Sequence, residues 1–99
     1  MAEHREHVAL MLQGYRDLIE RFISGEISAD VFERDYMKHF KSDPNQIVGD
    51  EFDVLDRLFA DIDEYVDDPV IRQDTGGISG EELRERAQAA YDRLYGEAR

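Results

Sequence analysis

The segment FDVLDRLFADIDEYVDDP, residues 52–69, carries two patterns at once. At 100° per residue, with Phe52 at 0°, the apolar residues Phe52, Leu55, Leu58, Phe59, Ile62 and Val66 fall within an arc of about −160° to 0°. Asp53, Asp56, Asp61, Asp63, Glu64, Asp67 and Asp68 fall within about 20° to 180°. Half of this helix is therefore built for a core, and the other half is almost wholly acidic. The spacing predicts a helix over about 49–66, ended by Asp67-Asp68-Pro69, because proline disfavours helical backbone at the residue before it.

The same period recurs on both sides of this segment. Val8, Met11, Leu12, Tyr15, Leu18, Ile19, Phe22 and Ile23 recur at steps of three and four, so the first helix covers about 4–24, with Gly25 as a left-handed cap. Phe32, Tyr36 and Phe40 share one face of a second helix over about 28–41, with Ser28 as its N-cap. After Pro69, residues 70–78 read as a loop containing Gly76-Gly77. Ser79 and Glu82 have the spacing of a capping box, and Leu83, Ala87, Ala90, Tyr91 and Leu94 form the stripe of a last helix. No alternating pattern indicates a strand. Isolated helices of this length are marginal in water, so the stripes need one another. The expectation is an all-α chain, an antiparallel four-helix bundle, with residues 1–99 forming a single helical domain.

Composition narrows the function. The chain has 99 residues with 24 Asp+Glu against 12 Lys+Arg, a formal net charge of −12. Such a surface repels phosphate, so direct nucleic-acid or anionic-membrane binding is not expected, and basic proteins are the natural partners. The excess is local. Residues 50–74 hold 10 acids and 2 bases, net −8, whereas residues 1–49 are net −3 and residues 75–99 net −1. A salt-adapted protein would be acidic all round. Like charges at helical spacing cost a few tenths of a kcal/mol each, and Asp67 and Asp68 at a helix C-terminus oppose the dipole. Selection for stability alone would place Lys or Arg there.

Catalytic and metal chemistry have little to stand on, and no catalytic residue, cofactor or metal site is expected. There is no cysteine. His4 and His7 read as an exposed pair and His39 as a lone structural or surface residue. Asp61, Asp63, Tyr65 and Asp67 alternate as in a calcium loop, but Val66 and Arg72 stand where an EF-hand needs Gly and Glu. The glycines at 76, 77 and 80 lack the lysine of a phosphate loop. No Asp-Ser-Leu tripeptide of an acyl carrier occurs. No signal peptide and no apolar run of membrane length is visible, and a cytoplasmic location is expected.

Three segments carry a resemblance: LIERFISGEISADVFE at 18–33, LDRLFADIDEYVDDP at 55–69 and SGEELR at 79–84. Together they resemble the colicin D immunity family, the self-protective colicin-like immunity domain, over roughly residues 8–95. The resemblance implies a helical bundle that binds and blocks a cognate bacterial nuclease toxin, typically a tRNA-cleaving ribonuclease; separately, a monomer binding one toxin is the expectation, although the sequence does not fix the oligomeric state. Asp63 matches an acidic position of the family's third helix and Asp68 one just after it. Asp56, Asp61, Glu64 and Asp67 are expected to reinforce them against toxin cations, with Tyr65 either an aromatic anchor or core. The other reading of the same acids is an interaction module, or a nucleic-acid mimic, for some other basic protein.

Overall fold

The computed structural model describes residues 2–96, with side chains from residue 5 onward. Five helices follow one another: α1 (Ala2–Ile23), α2 (Ala29–Ser42), α3 (Asp50–Asp63), α4 (Pro69–Thr75) and α5 (Gly80–Tyr95). The all-α reading holds, but the expected four-helix bundle is corrected by one helix. The expected loop at 70–78 contains α4. The His4 side chain lies outside the described residues, and His7 is exposed.

The helix ends follow from local chemistry. At the end of α1, the Glu26 N–H donates to the Arg21 carbonyl at 2.9 Å and the Gly25 N–H to that of Phe22 at 3.0 Å. This is the Schellman pairing, and Gly25 takes the left-handed φ of 87° that it requires. Ser28 Oγ accepts from the Val31 N–H and starts α2. Ser79 and Glu82 form the expected capping box on α5.

The long helices meet in one core. Met11, Tyr15, Ile19 and Phe22 of α1, Phe32 and Tyr36 of α2, Leu55, Leu58 and Ile62 of α3, and Leu83 and Ala87 of α5 are all buried. α5 packs against both α1 and α3, and α2 closes the group against α1 and α3. Aromatic rings tie α1 to α2, with Phe22 and Phe32 stacked at 4.2 Å between centroids. The Tyr36 hydroxyl donates to the Leu55 carbonyl at 2.8 Å, which keeps a buried polar group paired.

α3 stops at Asp63, three residues before the expected end. The chain then turns outward to meet the approach to α5: the Val66 N–H donates to the Ile78 carbonyl at 3.0 Å, and the Ile78 N–H to that of Glu64 at 2.9 Å. This isolated parallel bridge, Tyr65 with Ile78, was not expected. The bridge gives the backbone groups of Glu64, Val66 and Ile78 partners that a continued helix would otherwise have supplied.

Candidate functional site

α3 presents its acids in two directions. Asp53, Asp56 and Asp63 are exposed, as the helical projection requires. Asp61 is not. It was expected on the solvent-facing half, but it is only 8% exposed. Its place at about 180° borders the core arc on the side that α5 covers. There Arg86 Nη1 donates to Asp61 Oδ1 at 2.8 Å and lies 3.7 Å from Glu64 Oε1. The Asp61 carboxylate holds the Arg86 guanidinium above its ordinary pKa, although burial works the other way. Asp61 is thus a structural ion-pair partner between α3 and α5. A groove of about 680 Å³ runs beside it, lined by Asp50, Asp53, Arg57, Arg86 and Arg93 among others. Charges of both signs share that groove, so it is not a uniformly acidic surface.

The end of α3 is different. Asp63, Glu64, Asp67 and Asp68 are all exposed. Among the described residues, Asp56, Asp63, Asp67 and Asp68 have no basic side chain within ion-pair distance, and Glu64 has only the distant contact with Arg86. α2 adds two acids that the projection of one helix did not reveal. Glu33 is half-buried, and its carboxyl is pushed above the usual range by that burial, then by the negative charges of Asp30 and Asp63. Asp30 lies in the first turn of α2, where the helix dipole favours an anion. The signal for both was present in the sequence as two acids at i, i+3, but only the packing of α2 on α3 shows which face they join.

Tyr65 ties the two parts of this surface together. Its hydroxyl donates to Asp30 Oδ1 at 2.8 Å and reaches Asp67 Oδ1 at 3.3 Å. Burial first, and then the Asp30 carboxylate, raises the phenol well above its ordinary pKa, so it stays a hydrogen-bond donor at any physiological pH. The ring is half-buried beside Gly80 and packs on the edge of the core. It orients two carboxylates in place of standing free as an aromatic knob.

Asp68 also differs from expectation. It does not close α3 against the dipole. Its side chain accepts from the Val70 N–H at 2.9 Å as the N-cap of α4, with Pro69 following in the first helical turn.

This arrangement, helices bearing an acidic face near the α3 terminus, spans the region that a family model recognises. The model for bacterial self-protective colicin-like immunity matches residues 10–94. The chain belongs to that family. The colicin-like immunity match runs from within α1 to within α5, and so contains every acid named above. No curated protein and no solved structure gives a significant match. Among the described residues no helix is long and apolar enough to cross a membrane.

Proposed function

We propose that this protein protects its host by binding a basic nuclease toxin domain, tRNA-cleaving by the family resemblance, and occluding the toxin's substrate-binding cations. The observation that carries this reading is a set of exposed carboxylates with no basic partner among the described residues, along α3 and just after it: Asp56, Asp63, Asp67 and Asp68, with Glu64 beside them. A nuclease site holds phosphates with Lys, Arg and His. A rigid surface of carboxylates offers those cations charge-assisted hydrogen bonds and no scissile bond. Opposite net charges also steer association and raise its rate. Tyr65 and Arg86 act as positioning residues. The first fixes Asp30 and Asp67, and the second neutralises Asp61 and leaves the outer acids free.

The test is co-expression of the neighbouring toxin with the wild type, with Asp63→Lys/Asp68→Lys, and with Asp61→Asn. The double reversal is expected to lose protection while remaining folded by circular dichroism. Asp61→Asn is expected to protect. Full protection by the folded double reversal overturns the acidic-surface reading.

A further inference from the structure

α4 is the helix with the least structural reason to exist, for none of its seven residues is buried. Its backbone is nevertheless fixed at every joint. Asp68 caps its start. Gly76, at φ 75°, closes its end with an N–H donated to the Arg72 carbonyl at 2.9 Å. Arg72 Nη1 turns inward and donates to the Val66 carbonyl at 2.9 Å. The bridge between Glu64, Val66 and Ile78 clamps the base of the excursion. Gly77 sits where a Cβ would lie 2.5 Å from Val66 Cγ2 and 2.7 Å from the Glu64 carbonyl oxygen, so only glycine allows the clamp to close.

What this clamp displays is a pair of apolar side chains. Val70 is 69% exposed and Ile71 51%. A single exposed aliphatic is ordinary. Two adjacent ones on a held helix that buries nothing, with the exposed acids Asp67, Asp68 and Asp74 within four residues of them in the chain, suit an interface anchor with an acidic rim. The rim identifies the occupant. A second copy of this chain would set the same acids against each other across a two-fold contact. A basic protein surface would not. Asp67 and Asp68 belong both to this rim and to the acidic surface described above, so the two are continuous.

We propose that Val70 and Ile71 insert into an apolar depression bordered by cations on the toxin domain and set specificity for one toxin. This rests on the acidic surface being the toxin-binding surface. Charge alone attracts any basic nuclease. Short-range apolar fit governs how long the correct one stays, because affinity differences among related complexes lie mostly in the dissociation rate.

The experiment measures association and dissociation rates by surface plasmon resonance. The probe is the purified nuclease domain of the neighbouring toxin, at low and high salt. Val70→Ser/Ile71→Ser is expected to keep the wild-type association rate and its salt dependence while dissociating 10–100-fold faster. Asp63→Lys/Asp68→Lys is expected to associate more slowly and with a weaker salt dependence. If the serine variant dissociates within twofold of wild type while the charge reversal still slows association, the α4 anchor is wrong and the acidic-surface reading stands. If the charge reversal binds as wild type, the acidic-surface reading falls, and the anchor with it. Sedimentation equilibrium showing a wild-type dimer that the serine variant dissolves assigns the patch to self-association and overturns the anchor. Both side chains are exposed, and matching circular dichroism and urea midpoints confirm that the serine variant is folded.

Discussion

Replacing Arg86 by Met strands the Asp61 carboxylate, and the cost can be worked from its surroundings. Arg86 is the ion-pair partner of Asp61, at 2.8 Å; the Asp61 side chain is 11% exposed and that of Arg86 42%. Removing one partner of a fully buried pair costs about 3–5 kcal/mol, whereas fully exposed pairs contribute about 0.2–1 kcal/mol. With one partner buried and the other half in water, Arg86→Met is expected to cost about 1.5–2.5 kcal/mol. Asp61→Asn keeps the shape and removes the charge, so its cost is smaller, about 1 kcal/mol. The double variant Asp61→Asn/Arg86→Met is expected to be no less stable than Arg86→Met alone, because no charge is then left in the low-dielectric site. Urea unfolding of the four proteins gives the cycle, with an unchanged m-value as the check that only stability moved. An Arg86→Met variant within 0.5 kcal/mol of wild type, or strictly additive single costs, refutes the structural role assigned to the pair.

Three further expectations follow from the acidic end of the fold. Asp63→Lys replaces an anion by a cation in the last turn of α3 and relieves Glu33, so the free protein gains about 1 kcal/mol, or roughly 4–8 °C in Tm, even as toxin binding is lost; thermal unfolding that shows a lower Tm contradicts this. Burial, then the charges of Asp30 and Asp63, raise the folded Glu33 carboxyl above its ordinary range, so the native state holds its proton longer than the unfolded chain and stability falls as pH rises through that window. Glu33→Gln is therefore expected to match wild type at low pH and exceed it at pH 7 by a few tenths of a kcal/mol, with urea midpoints from pH 4 to 7 as the readout; an identical pH profile counts against it. Gly77→Ala forces Val66 or the Glu64 backbone to move and is expected to cost about 1–3 kcal/mol, with faster amide exchange at Val66 and Ile78; unchanged exchange there sinks the clamp.

The core was legible because periodicity is a local signal. Met11, Tyr15, Ile19, Phe22, Phe32, Tyr36, Leu55, Leu58, Ile62, Leu83, Ala87 and Ala90 were readable from spacing alone, and all are buried. So were Gly25, Ser28 and the box of Ser79 with Glu82, whose chemistry is settled within a few residues. α4 escaped because seven residues with no buried stripe give no period. Its ends were nonetheless written in the chain: Asp68-Pro69 is an N-cap followed by the proline favoured at the first helical position, and Gly76 is the left-handed terminator. Asp61 was misplaced for another reason. A projection of one helix shows an angle, not the neighbour standing at that angle, and only Arg86 on α5 decides that 180° is inside. Asp30 and Glu33 belong to the same class of information, since their contribution depends on how α2 lies against α3.

The charge imbalance looked costly on the premise that one long helix ran into Asp67 and Asp68. The real helix boundaries change that. Asp30 is in the first turn of α2, Asp50, Glu51 and Asp53 in that of α3, and Glu81 and Glu82 in that of α5, while Asp68 caps α4. Each is an end where the dipole welcomes an anion. Asp61 is neutralised by Arg86. Most of the net charge is therefore stabilising or neutral for the fold. The exception is the end of α3, which has no basic residue in its last turn and closes on Asp63 and Glu64, with Glu33 near enough to Asp63 to repel it. Charge held against the fold's own preference at one place, with the chain's remaining acids arranged so as not to oppose it, points to an external cation as the missing partner. The surface where stability is worst served is the surface assigned to the toxin.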